Sequence, residues 1–226
     1  MTGYVGELHG GVGAALCPLC KSDEAVAFSC DEVRCYYRCP RCSMVFVAAH
    51  DFVSPEQERR IYDQHQNDPA DAGYREFLAR LSEPLLRLLL PESYGLDFGC
   101  GPGPTLSLML EEQGHTVRIY DQFYADDRSV WRDYYDFITA TEVVEHLRDP
   151  HFELNRLWHH VKPGGLLALM TRVVPSQRDF ANWYYKKDPT HICFYAVETF
   201  AWLAASWKAE IVYGEGGVVI MRRAEI

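Results

Sequence analysis

"GLDFGCGPGPT", residues 95–105, packs four glycines and two prolines into eleven residues, directly after the leucine-rich run "PLLRLLL" at 84–90. Such a stretch cannot be a helix interior, because glycine loses backbone entropy there and proline lacks the N–H that the helix needs. The apolar "YGLDF" at 94–98 reads as a strand, and Pro104 suits the first position of a helix. The segment is therefore a strand, a glycine turn and a helix start. Glycines at such a turn let a ligand approach the backbone beside the positive end of a helix. The dinucleotide pattern G-x-G-x-x-G is not met, since its third glycine position is Pro104; the spacing is D-x-G-x-G-x-G from Asp97. About 20 residues further on, Asp121 closes "VRIYD", where an acid is placed to take ribose hydroxyls.

Outward from this turn, strands and helices alternate. A helix is expected over 104–113, stopped by Gly114, then strands at 116–120 and 135–140. A helix over 146–160 would end at "KPGG", followed by strand 166–172, apolar enough to be buried on both faces. Helix 197–206 and strands 209–213 and 217–222, joined through "GEGG", complete the pattern. Alternation of this kind predicts an α/β fold with a mostly parallel sheet.

Three segments, "LDFGCGPG" (96–103), "YDFITATEVVEHLRDP" (135–150) and "VKPGGLLAL" (161–169), together resemble the class I S-adenosylmethionine (SAM)-dependent methyltransferases, and most nearly a ubiquinone O-methyltransferase-like branch. The resemblance implies a Rossmann-like, seven-stranded, mostly parallel sheet with its last strand reversed. It implies SAM as cofactor, with Asp97, Gly99, Cys100, Gly101 and Gly103 along the methionine part, Asp121 at the ribose, and Thr141 and Glu142 beside them. Only fourteen residues separate Asp121 from Asp136, so the third strand and its helix are abbreviated; Asp126 and Asp127 are the candidates near adenine.

Within "TEVVEHLRDP", Glu142, Glu145 and His146 fall at relative positions 0, 3 and 4, one face of a helix if the segment is helical. His146 is a candidate general base or an orienting group. With His191 from "DPTHICFY", the set Glu142, Glu145, His146 and His191 is also a candidate divalent-metal site that would acidify a hydroxyl. Similar E-x-x-E-H sequences with a later histidine occur in metal-assisted methyltransferases acting on ubiquinone precursors and on small RNA, and also in relatives using no metal. The aromatic loop at 178–195, with Trp183, Tyr184, Tyr185, Phe194 and Tyr195, reads equally as a lid or as core packing. Tyr62, His65, Tyr74 and Arg75 lie in the preceding helical segment, where Arg75 is a candidate partner for the methionine carboxylate.

At the other end of the chain, "CPLC" and "CPRC" repeat one design. Cys17, Cys20, Cys39 and Cys42, with eighteen residues between the pairs, have the spacing of a four-cysteine zinc ribbon, a closed structural site. Cys30 and Cys35, in the hairpin between the knuckles, read as buried or spare thiols, and Cys100 and Cys193 as packing residues.

The 226 residues carry 22 basic and 32 acidic side chains, a net charge of −10, which argues against nucleic acid as partner. No apolar run approaches the roughly 18 residues of a membrane span, and "MTGYVGELHGGVGAAL" lacks the basic start of a secretory signal. The expected organisation is a flexible tail (1–16), a zinc ribbon (17–50), a helical linker or cap (51–92) and a SAM-binding domain (93–226), in a cytoplasmic protein for which a homodimer stays open. The reading is a methyltransferase acting on oxygen of a small molecule. Its alternatives are an RNA methyltransferase using the ribbon for recognition and a catalytically silent SAM-binding protein.

Overall fold

A computed structural model describes residues 15–64 and 67–225. Most of the expected tail, and His65, lie outside the described residues.

The two cysteine knuckles adopt one geometry. The amide of Lys21 donates to the Cys17 carbonyl at 3.0 Å, and that of Ser43 to the Cys39 carbonyl at 2.9 Å. Lys21 and Ser43, each just after its second cysteine, are both left-handed (φ 58° and 59°). Strands β1 (Val26–Cys30), β2 (Cys35–Arg38) and β3 (Val45–Val47) form an antiparallel sheet between and after them. The β1–β2 register sets Cys30 opposite Cys35, and the two are joined by a disulfide instead of remaining thiols. Adjacent cysteines flanking a four-residue turn come within bonding reach only once this register is fixed, which spacing alone does not reveal.

Helix α1 (Pro55–Tyr62) starts with a capping box: the Gln57 amide donates to Ser54 Oγ at 3.3 Å, and the Ser54 amide to Gln57 Oε1 at 3.0 Å. Helix α2 (Ala72–Leu86) is capped by Asp71, which accepts from the Gly73 and Tyr74 amides. Its buried Leu78, Leu81 and Leu85 recur at helical spacing and face the main sheet.

That sheet comprises β4 (Tyr94–Phe98), β5 (Thr116–Tyr120), β6 (Tyr135–Thr141), β7 (Val161–Met170), β9 (Glu210–Glu215) and β10 (Val218–Arg222), in the order β5-β4-β6-β7-β10-β9. Strands β4, β5, β6 and β7 run parallel, and β10 is antiparallel to both β7 and β9. The last strand is reversed, as anticipated, but the sheet has six strands among the described residues, not seven. The fourteen residues between Asp121 and Asp136 hold only a 3-10 segment, Arg128–Arg132, in place of a helix and a further edge strand.

Alternation along the strands supplies two cores. Phe137, Leu166, Ala168, Val218 and Ile220 pack under α2 and α3 (Thr105–Glu111). Ile138, Leu167, Leu169, Val219 and Met221 face the other way, toward α4 (Pro150–His160) and α6 (Val197–Trp207). Two boundaries differ from expectation. Helix α4 begins at Pro150, capped by Asp149, not at 146, and ends at His160 as expected; "KPGG" follows it within β7, which starts at Val161 and not at 166. Proline at the first helical position sets the helix start.

The ribbon core is continuous with the second face. After β7 come the short helix α5 (Gln177–Phe180) and then β8 (Cys193–Phe194), which pairs antiparallel with β3. The ribbon sheet is thus completed by a strand from the other end of the chain, in the order β1-β2-β3-β8. No helix among the described residues is long and apolar enough to cross a membrane.

The glycine turn is held by the chain itself. A Cβ at Gly103 would lie 2.0 Å from the Asn67 carbonyl oxygen, which is backbone and cannot rotate away. Gly103→Ala is therefore expected to lower stability by about 1–3 kcal/mol, the cost of overpacking. A urea midpoint equal to that of the unaltered protein would contradict this packing.

Candidate active site

A cavity of about 410 Å³ opens at the C-terminal ends of β4, β5 and β6, where open α/β sheets bind ligands. The turn Gly99–Pro102 lines it, as do Asp121 with the turn after β5 and Thr141–Val143 after β6. Tyr62 of α1 and Tyr74 and Phe77 of α2 cover it.

Gly99 and Gly101 are left-handed (φ 76° and 65°), and a Cβ at Gly99 would meet Val143 at 2.4 Å. The glycines therefore admit two neighbouring chain segments, at Val143 and Asn67. Asp121 ties the region together. Its Oδ2 accepts from the Gly101 amide at 3.1 Å, and its Oδ1 from the Phe123 and Tyr124 amides at 2.8 and 3.2 Å. Asp97 and Gly103, expected at the ligand, are not wall residues. Asp97 is buried beneath the turn and accepts from Thr139 Oγ1 at 2.7 Å; burial pushes its carboxyl up to about 6 despite that bond. Thr141 lines the cavity, and its Oγ1 is buried with no hydrogen-bond partner among the described residues.

The E-x-x-E-H segment is a strained bend and not a helix. Glu142 is left-handed (φ 52°), its amide donating to the Met170 carbonyl at 2.8 Å, and Val144–His146 form a 3-10 turn. Glu145 is fully buried. The Tyr185 hydroxyl makes a short contact with Glu145 Oε1 and lies 2.9 Å from Glu142 Oε2. One phenolic proton cannot serve two carboxylates, so the second contact requires a proton on a carboxyl. Burial, with Glu142 adding repulsion, accordingly pushes Glu145 up to about 8. Its second oxygen, Oε2, has no hydrogen-bond partner among the described residues.

Two imidazoles join this carboxylate. His146 Nδ1 lies 3.1 Å from the Thr190 carbonyl and His191 Nδ1 lies 2.7 Å from the Tyr185 carbonyl. A carbonyl only accepts, so both Nδ1 atoms carry a proton; His191 Nε2 lies 3.9 Å from Asp188 Oδ2. Ligand-type atoms of Glu145, His146 and His191 lie within 4.8 Å of one another, and the two rings meet edge to face at 4.7 Å. Glu142, the fourth candidate, is not in that convergence and turns to Tyr185.

Other candidates lie elsewhere. Arg75 pairs with Glu112, Asp127 with Arg118 at 2.7 Å and Asp126 with Arg128 at 3.3 Å, and none of the three lines the cavity. Walls that no motif announced are Glu58, Tyr120, Phe123, Glu153 and Arg156. They come from the end of β5, the turn after it and helix faces that only the tertiary fold brings together. The four ribbon cysteines converge: Cys17 and Cys42 sulfurs are 3.5 Å apart, Cys20 and Cys39 sulfurs 3.4 Å, and all four lie within 4.8 Å.

Residues 64–212, more than half of the chain, match a family described as a methyltransferase domain. The chain belongs to the class I SAM-dependent methyltransferases. A curated relative, the ubiquinone biosynthesis O-methyltransferase of Shewanella sp. (strain ANA-3), is 32% identical over 78 residues, 34% of this chain and 33% of that protein, so the match spans a third of the relative's length. Among solved structures, an O-methyltransferase family protein from Burkholderia thailandensis aligns with a TM-score of 0.51 at 15% identity, over 75% of this chain and 63% of that one. Magnesium protoporphyrin IX methyltransferase from Synechocystis PCC 6803, with bound SAH, aligns with a TM-score of 0.50 at 14% identity, over 75% and 93%. At these identities the likeness carries the fold.

The methyltransferase's cavity fits its cofactor on the grounds of its own chemistry. The glycine turn, Asp121 and Thr141 all line one continuous space.

Glu145 sets a pH signature. Its folded pKa of about 8 lies above the usual value of 4.5, so the folded protein holds a proton that the unfolded chain releases. The stability it contributes is complete below about 4.5 and is lost as pH rises toward 8. In protein without added divalent ion, the urea midpoint should fall across this window, and Glu145→Gln should flatten that fall. Equal slopes in the two proteins would show that Glu145 is not the titrating group.

Proposed function

We propose that this methyltransferase carries a methyl group from SAM to an oxygen of a small molecule, at a centre made by Glu145, His146 and His191 that holds a divalent ion. The observation that carries this reading is the convergence of ligand-type atoms of Glu145, His146 and His191 within 4.8 Å of one another, with the two imidazoles oriented by their Nδ1–H bonds to carbonyls. Second-sphere carbonyls of this kind orient histidine ligands and fix their tautomer. Carboxylate and imidazole donors suit Mg²⁺, Mn²⁺, Fe²⁺ or Zn²⁺. Such an ion, when bound, lowers the pKa of a coordinated hydroxyl, so that an oxygen nucleophile is available at neutral pH.

The chain's own residues supply the rest. The Gly99–Pro102 backbone and Asp121 bind the cofactor's methionine and ribose portions, and Thr141 and Glu142 complete that side. Tyr185 holds the Glu145 carboxylate in place, while Thr190 and Tyr185 carbonyls orient the two imidazoles. Tyr62, edge to face with His146 at 5.3 Å, and Phe123 cover the acceptor side and exclude water. Positioning an oxygen in line with the sulfonium methyl is then the main catalytic work. The oxygen acceptor is supported by the relative active in ubiquinone biosynthesis, and a small molecule, not a nucleic acid, by the net charge of −10. The four ribbon cysteines hold a structural zinc, residues 51–92 act as the cap, and residues 93–226 as the catalytic domain.

A second reading uses the same geometry. His146, which lines the cavity with its Nδ1–H held by the Thr190 carbonyl, acts alone as general base. Transfer of labelled methyl from SAM to a panel of phenols and catechols separates the two. Mild chelation strips carboxylate–imidazole sites before thiolate ones, so activity should fall with chelator and return with Mg²⁺ or Mn²⁺. Activity indifferent to chelator, with a rate following a group near the histidine pKa of roughly 6.5, would favour His146 alone.

A further inference from the structure

The turn closing β1 and β2, Asp31–Arg34, is far from the SAM turn in sequence, and no motif marks it. It is nonetheless tightly built. The Cys30–Cys35 disulfide closes its base, the Asp31 amide donates to the Arg34 carbonyl at 3.1 Å, and the Val33 and Arg34 amides donate to Asp31 Oδ1 at 3.0 Å. The Arg34 side chain is only 8% exposed. Its guanidinium donates to Tyr36 Oη at 3.0 Å, to the Pro189 carbonyl at 3.2 Å, and to the carbonyls of Lys186 and Asp188 at 2.5 and 2.8 Å. Lys186, itself buried, returns the contact by pairing with Asp31.

Residues 186–189 are the link between Tyr185 and His191. Tyr185 contacts both Glu142 and Glu145, and its carbonyl takes the His191 Nδ1–H; Thr190, next in the chain, takes that of His146. We infer that Arg34 is a positioning residue for the methyl-transfer site, its guanidinium clamping three carbonyls of the 186–189 loop and thereby fixing the orientation of Tyr185, His146 and His191. This rests on the site proposed above, but not on the metal or on the acceptor. A planar guanidinium reaches several carbonyls at once; an ammonium at the same place reaches fewer and in no fixed fork.

Nitrogen NMR of the histidine rings in the full-length, zinc-loaded protein tests the clamp, because each ring reports its own tautomer. His151 Nδ1 lies 2.8 Å from the Leu19 carbonyl in the first knuckle, and His160 Nδ1 lies 2.8 Å from the Asp133 carbonyl across the main sheet. These two report ribbon docking and the sheet. In Arg34→Ala, His191 and His146 should lose their single Nδ1–H tautomer while His151 and His160 keep theirs. SAM affinity by calorimetry should shift by less than about twofold. Added methylguanidinium should restore the lost tautomers. Arg34→Lys, which preserves charge and most of the packing, should show the same loss in weaker form, and it decides the matter if Arg34→Ala does not fold. The inference is overturned if His191 keeps its tautomer in the folded variants. It is equally overturned if all four rings change together in Arg34→Lys, since Arg34 would then support the fold and not the loop. Should the tautomers follow Arg34 while chelation leaves activity untouched, the clamp stands and the metal reading falls.

Discussion

The buried carboxylate of Glu145 is the constraint on which the rest of this site depends. A carboxyl group with no exposure to water is costly unless its surroundings answer it. Here the answer comes from several places. Tyr185 contacts one oxygen, the Ile192 amide donates to the residue's own carbonyl at 2.9 Å, and His146 and His191 converge beside it. The two imidazoles are held in turn by the Thr190 and Tyr185 carbonyls of the loop between β7 and β8. The strain at Glu142 belongs to the same arrangement, because only a left-handed residue there turns the chain sharply enough to aim Glu145 inward.

The ribbon is part of this support and not a separate bead on the chain. The Val47 amide donates to the Ile192 carbonyl at 3.0 Å, so one residue, Ile192, hydrogen-bonds to Glu145 on one side and to the ribbon on the other. β3 pairs with β8 immediately beyond it, and the ribbon core runs without interruption into the α4 and α6 face of the main sheet. A unit closed by four cysteines provides a rigid wall against which a long, irregular loop is fixed. Loops of that length carry little order of their own.

Much of this was readable in the residues. Strands β4 and β5 fall at the predicted positions, since short apolar runs bounded by Gly, Pro and Asp leave little choice. Asp121 and Gly101 were singled out and do meet, at 3.1 Å. The missing edge strand was foreshadowed by the short interval before Asp136, although the count of seven came from the resemblance. The misread features share a cause. A helix from 146 looked reasonable by residue type, but the positive φ at Glu142 and proline at 150 decide otherwise. Gly103 looked like a ligand glycine, yet it makes room for Asn67, a contact between segments 36 residues apart that no local pattern encodes. The Cys30–Cys35 bond needed a strand register, and the roles of Tyr185 and Arg34 needed the tertiary fold, because both act on residues remote in sequence.

The metal centre proposed at Glu145, His146 and His191 is the part of this account most open to direct measurement. Crystals grown with S-adenosylhomocysteine and soaked in Mn²⁺ test it most directly, by anomalous scattering above and below the zinc edge. The account predicts a zinc peak among Cys17, Cys20, Cys39 and Cys42, and a separate manganese peak within bonding distance of His146 Nε2, His191 Nε2 and a Glu145 oxygen. Anomalous density confined to the cysteines, with the two imidazoles engaged by solvent or by each other at saturating Mn²⁺, would contradict it.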